Sequence, residues 1–200
     1  MRRLLTLLLC LLPMLSQAEE KSPKVRLKTS HGDIVIELNA EKAPISVENF
    51  LAYVKKKHYD GTAFHRVIKN FMIQGGGFEL KEDKLVEKAT GKSIKNEGQN
   101  GLKNLRGTVA MARRAEVDSA TAQFFINVVD NPSLDFPSYG GYAVFGKVVE
   151  GMDVVDKIKV VPTGVSELTA LHPETGKTIS SRSRDVPQKP VIIEKATIEP

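Results

Sequence analysis

The stretch FHRVIKNFMIQGGGF, residues 64–78, sets Arg66 and Gln74 among Phe, Val, Ile and Met. Polar side chains in such company are costly unless they are bonded. If residues 62–68 form a strand, Phe64, Arg66 and Ile68 share one face and His65 and Val67 the other. On the following run, 71–75, Met72 and Gln74 share a face. Two adjacent strands then present a cation and an amide on a patch that also carries Phe and Met side chains. That patch has a structural reading, a salt-bridged edge arginine with a satisfied core amide. It also has a functional one, a site that aims donors at an apolar guest. Periodicity alone favours the structural reading.

Other chemistries lack their residues. The four histidines, His31, His58, His65 and His172, form no metal-ligand spacing such as HExxH. His31 reads as a turn residue and His172 as a loop residue. No GxSxG elbow is present. Gly75-Gly76-Gly77 lacks the Gly-Lys-Ser/Thr of a phosphate loop, and a tight turn after a strand explains it better. No cofactor is expected.

These residues need a scaffold, and the chain is long enough for one. Its 200 residues, 41% hydrophobic and 26% charged, suit one globular domain with its own core. Arg2 and Arg3, the apolar run Leu4–Leu15 and the small-residue exit Ser16-Gln17-Ala18 read as a secretory signal peptide cut after Ala18. The run, about twelve residues, is shorter than the roughly twenty that span a bilayer, so no membrane anchor is expected after cleavage. Cleavage removes Cys10, the only cysteine, and lowers Lys+Arg from 29 to 27 against 24 acids, a net +3. The basic residues are scattered and Trp is absent, which argues against a nucleic-acid partner.

Alternation predicts a hairpin over 24–39, turning at Ser30–Asp33. Pro44 with Val47, Phe50, Leu51 and Val54 at helical spacing predicts a helix over 43–57, and a second is expected at 151–159. Strand-like runs follow at 62–68, 71–75, 107–112, 123–129, 142–149 and 190–198. Many short strands with two helices indicate a mostly β barrel or sandwich whose openings the helices cover. Residues 162–190 read as a long surface loop, with room for a small hairpin of its own.

The 64–78 stretch resembles the signature of the cyclophilins, the peptidyl-prolyl cis–trans isomerases. NGLKNLRGTVAMAR at 100–113, SATAQFFINVVDNPSLD at 119–135 and GYAVFGKVVEGMDVVDKI at 141–158 follow in the family's order. The likeness runs from Val25 to Ile198 and is nearest the bacterial periplasmic branch. It implies a closed eight-stranded antiparallel β-barrel capped by two α-helices; the extended loop at about 163–186 departs from compact members of the family. It further implies action on proline-containing polypeptides; a monomer is expected, and the signal peptide directs it to the periplasm or otherwise out of the cytoplasm.

By position in the motifs, the resemblance makes Arg66 the catalytic arginine. Phe71, Met72, Phe125 and Leu134 then line a pocket for the proline ring. Gln74 and Gln123 bond substrate backbone, with Gln74 also able to hold Arg66 in place or anchor the rotating carbonyl. Ala112 and Arg113 flank the groove, and Tyr142 falls where animal members carry histidine. Ser133 stands where those members have tryptophan, so weak cyclosporin binding is expected. A proline-binding or chaperone module with incidental turnover is the rival reading.

Overall fold

The structure is a computed structural model that describes residues 22–171, 175 and 177–200. The expected signal peptide and His172 lie outside the described residues. Eleven strands form one sheet, and eight of them close on themselves. The closed set is β1 (Lys24–Thr29), β2 (Gly32–Leu38), β3 (Thr62–Ile68), β4 (Met72–Lys81), β6 (Thr108–Met111), β7 (Phe124–Asn127), β8 (Val144–Glu150) and β11 (Ile192–Ile198). Round the barrel the order is β4-β3-β11-β1-β2-β8-β6-β7, and pairing of β7 back onto β4 closes it. Each of these pairings is antiparallel.

Alternation does the sorting expected of it. Val25 and Leu27 of β1, Ile34 and Ile36 of β2, Ile73 of β4, Phe124 and Ile126 of β7 and Phe145 of β8 all enter the interior. Helix α1 (Pro44–Lys55) adds Val47, Phe50 and Val54 to this core, and α2 (Met152–Ile158) adds Val154, Val155 and Ile158. The Phe50 ring lies 5.0, 5.5 and 5.2 Å from those of Tyr59, Phe124 and Phe145. The first turn of α1 starts with Pro44 and has no capping side chain of its own. Glu97 supplies the cap, accepting from the Ile45 and Ser46 amides at 3.0 and 2.8 Å and from the Ser46 hydroxyl at 2.6 Å.

The structure corrects three expectations. Phe64 and Arg66 do not share a face, because the β3–β4 register shifts between them. Phe64 therefore joins Val67 in the interior, while Arg66 points to the opposite side. The three glycines do not form a turn after a strand; they lie within β4. Gly76 holds φ +82° there, and a Cβ on it would fall 2.8 Å from the Tyr59 ring.

The third correction concerns 162–190. Strands β9 (Thr163–Leu171) and β10 (Thr178–Pro187) form a hairpin much longer than expected. It joins the sheet through β5 (Lys84–Glu87), which pairs with β4 on one side and runs parallel to β9 on the other. Among the described side chains of the hairpin only Leu168, Val186 and Pro187 are buried, the first two packed with Ala63, Phe78 and Leu85, so the segment shows little hydrophobic period.

Candidate active site

The outer face of β3, β4, β7 and β6 carries a second apolar layer of Met72, Ala110, Ala112, Phe125 and Val144, against which Phe71, Leu134 and Tyr142 pack. The registers align one cross-strand row through it. Arg66 of β3 faces Gln74 of β4, Gln74 faces Phe125 of β7, and Phe125 faces Ala110 of β6. From Arg66 to Ile68 the register with β4 is unbroken, which keeps Arg66 on the face of Ile68, Met72 and Gln74, while the shift before Arg66 turns Phe64 to the interior.

A pocket of about 280 Å³ opens over the row, lined by Arg66, Phe71, Met72, Gln74, Ala112, Arg113, Phe125, Leu134 and Tyr142. Nine of the ten residues anticipated from the motifs thus meet in one place. The tenth, Gln123, stands just behind, its Oε1 accepting from Gln74 Nε2 at 2.8 Å. A Cβ on Gly77 would lie 2.5 Å from Gln123 Cδ, so the third glycine of the triplet makes room for this amide. Gln74 is therefore bonded to Gln123 and does not hold Arg66. A larger groove, about 840 Å³, runs between Pro23, Leu38, Leu102, Leu105 and Val144, and includes none of the ten anticipated site residues.

The two arginines differ in how they are held. Arg113 donates to the Tyr139, Gly141, Arg114 and Ala115 carbonyls. Its Cζ lies 4.4 Å from the centre of the Tyr142 ring, which meets Phe125 edge-on at 5.9 Å. That is a wall. The Arg66 side chain, half-exposed, makes no hydrogen bond among the described residues, and its one ion pair there is with Asp185, Nε to Oδ2 at 3.9 Å. Its N–H groups remain able to donate to a guest.

The two loops that carry Phe71, between β3 and β4, and Leu134, after β7, are braced by amides that no motif role singles out. Asn131 Nδ2 donates to the Phe71 carbonyl at 2.8 Å and to Asn127 Oδ1 at 2.7 Å; Asn127 in turn donates to Asn104 Oδ1 at 3.1 Å. Asp135 accepts from the Asn104 amide at 2.8 Å, and the Leu134 carbonyl accepts from Tyr142 N at 2.8 Å. Three buried asparagines in apolar surroundings were the available signal, since each needs partners. Behind Arg66, the buried His65 ring lies 4.6 Å from that of Phe78, and its Nδ1 finds no partner among the described residues. Burial first, and the Arg66 charge after it, push its pKa down to about 4, so the ring is neutral at physiological pH.

An apolar pocket with a cation at one edge and paired amides at its floor suits an extended peptide carrying a small apolar ring. The family model of cyclophilin type peptidyl-prolyl cis-trans isomerases matches residues 24–198. A peptidyl-prolyl cis-trans isomerase of Acinetobacter baylyi is 62% identical over 140 residues, covering 70% of this chain and 73% of that protein. Peptidyl-prolyl cis-trans isomerase B of Escherichia coli is 53% identical over 178 residues, 87% of this chain and 98% of its own. A cyclophilin type isomerase of Cryptosporidium parvum, solved in the presence of the dipeptide Ala-Pro, superposes with a TM-score of 0.67 at 26% identity. That match covers 88% of this chain and 99% of the other. The chain belongs to the cyclophilin-type peptidyl-prolyl cis–trans isomerases. Its activity is that of the class, isomerisation of Xaa-Pro peptide bonds.

Proposed function

We propose that the protein accelerates Xaa-Pro rotation in exported polypeptides and so assists their folding, with no covalent intermediate and no cofactor. Rotation meets a barrier of about 18–20 kcal/mol because amide resonance must be broken. Unaided exchange takes about 10–100 s. Phe71, Met72, Phe125 and Leu134 hold the proline ring still. As the bond twists, the nitrogen becomes pyramidal and its lone pair is freed, and Arg66 donates to it. That bond exists only at the top of the barrier, so it lowers the barrier rather than the ground state. Gln74 and Gln123 bond the peptide backbone on either side, with Ala112, Arg113 and Tyr142 bordering the groove.

The observation that carries this reading is the contrast between the arginines: Arg113 is tied into its loop, whereas Arg66 keeps its donors free beside the apolar pocket. Arg66→Ala is expected to slow exchange roughly 30- to 1000-fold, the value of about 2–4 kcal/mol of charge-assisted bonding, while weakening peptide binding only modestly. Magnetisation-exchange NMR on a short Xaa-Pro peptide reads rate and affinity together. Near-normal exchange in this variant would make Arg66 structural and favour the binding-module reading.

Export rests on the Arg2-Arg3, apolar and Ser16-Gln17-Ala18 order at the N-terminus. A periplasmic, monomeric protein beginning at Glu19 is the expectation. N-terminal sequencing of secreted material that still began at Met1 would remove it.

A further inference from the structure

The hairpin β9–β10 reaches the active site. Along most of its length it is exposed, and among the described residues its buried anchors are Leu168, Val186 and Pro187. Ser183 pairs with Ser166 and Val186 with Gly164, so β10 spends three steps where β9 spends two. The additional residue is a β-bulge, a device that re-aims a side chain. Asp185 sits in that bulge, next to the buried Val186, and its carboxylate is brought 3.9 Å from Arg66 Nε. Gln74, directly opposite Arg66, is engaged with Gln123. Among the described residues, Asp185 is the one ionic partner of the guanidinium, at a distance beyond a hydrogen bond. It meets the head at Nε, so the terminal Nη groups stay open to a guest.

Given the reading of Arg66 as the catalytic cation, on which this rests, we propose that Asp185 is its positioning residue and that the hairpin thereby belongs to the catalytic apparatus. A long, flexible side chain bonded to nothing else samples many rotamers, and a carboxylate held near Nε by the backbone of the bulge narrows them toward the pocket. The pair is half-exposed, and such pairs contribute little to global stability. The effect should therefore appear in rate and not in unfolding temperature.

Magnetisation-exchange NMR on a short Ala-Pro peptide, with the full mature chain, tests this in wild-type and Arg66→Ala backgrounds. Asp185→Asn keeps the shape and removes the charge. We expect kcat to fall three- to fivefold with KM within twofold, and Asp185→Glu to restore at least half of the loss. The Arg66 Nε–Hε order parameter should drop in Asp185→Asn, and in the Arg66→Ala background the substitution should change nothing further. Unchanged kcat, a change in KM alone, or an equal loss in both backgrounds would overturn the proposal. If Arg66→Ala itself retains exchange, the reading of Arg66 fails; if Arg66→Ala is slow and Asp185→Asn is normal, only the role of Asp185 fails.

Discussion

Single side chains carry most of what distinguishes this site. Ser133 lies exposed in the short 3-10 turn Pro132–Leu134, beside the Leu134 that lines the pocket. A tryptophan there would add a large apolar face and an N–H donor, neither of which serine offers. Weak cyclosporin binding is therefore expected, with a gain in affinity for Ser133→Trp by titration calorimetry. Tight binding by the unaltered protein would show that the rest of the groove suffices. The Arg66 prediction belongs to this scale as well, since one guanidinium with free donors is asked to supply the whole effect.

At the scale of elements, α1 depends on a residue far from it in the chain. Glu97 closes three donors at the start of the helix, which carries no capping side chain of its own. Buried Val47, Phe50 and Val54 on that helix form part of the barrel core, so fraying at the cap reaches the interior. Glu97→Ala should cost about 1–2 kcal/mol in urea unfolding, within the range of lost caps. Glu97→Gln, which keeps an acceptor, should cost less. Equal losses would mean that charge alone matters, and no loss would mean that water replaces the cap.

The whole molecule carries a pH dependence. His65 is fully buried and its pKa lies at about 4; His58, hydrogen-bonded to Gly76, is also lowered by burial. An unfolded histidine binds its proton near pH 6.5. Between those values the unfolded chain binds more protons than the folded one, so stability is full above about 6.5 and is lost as pH falls. For His65 the loss between pH 6.5 and 5 is about 1.5 kcal/mol. Chemical denaturation at the two pH values should show it, and His65→Gln should flatten the slope. A slope indifferent to that substitution would place the titration elsewhere.

Strand alternation and helical spacing alone mark the two helices and most barrel strands, because half-buried elements must repeat with their own period. The motif residues were legible by type and order through resemblance to the cyclophilins. Alternation put Arg66, Gln74 and Met72 on one patch, but the convergence of Phe125, Ala112, Leu134 and Tyr142 on it was not legible, nor was the β3 register shift that turns Phe64 inward, because pairing between strands leaves no mark in local period. The hairpin beyond α2 hid for a related reason: exposed on most sides, it carries among its described residues only Leu168, Val186 and Pro187 as buried signal. Tertiary structure alone decided that Gln74 bonds Gln123, that Glu97 caps α1, and that Asp185 meets Arg66 across more than a hundred residues. Each is a contact between distant segments, set by how the sheet closes, and no short stretch of chain encodes it.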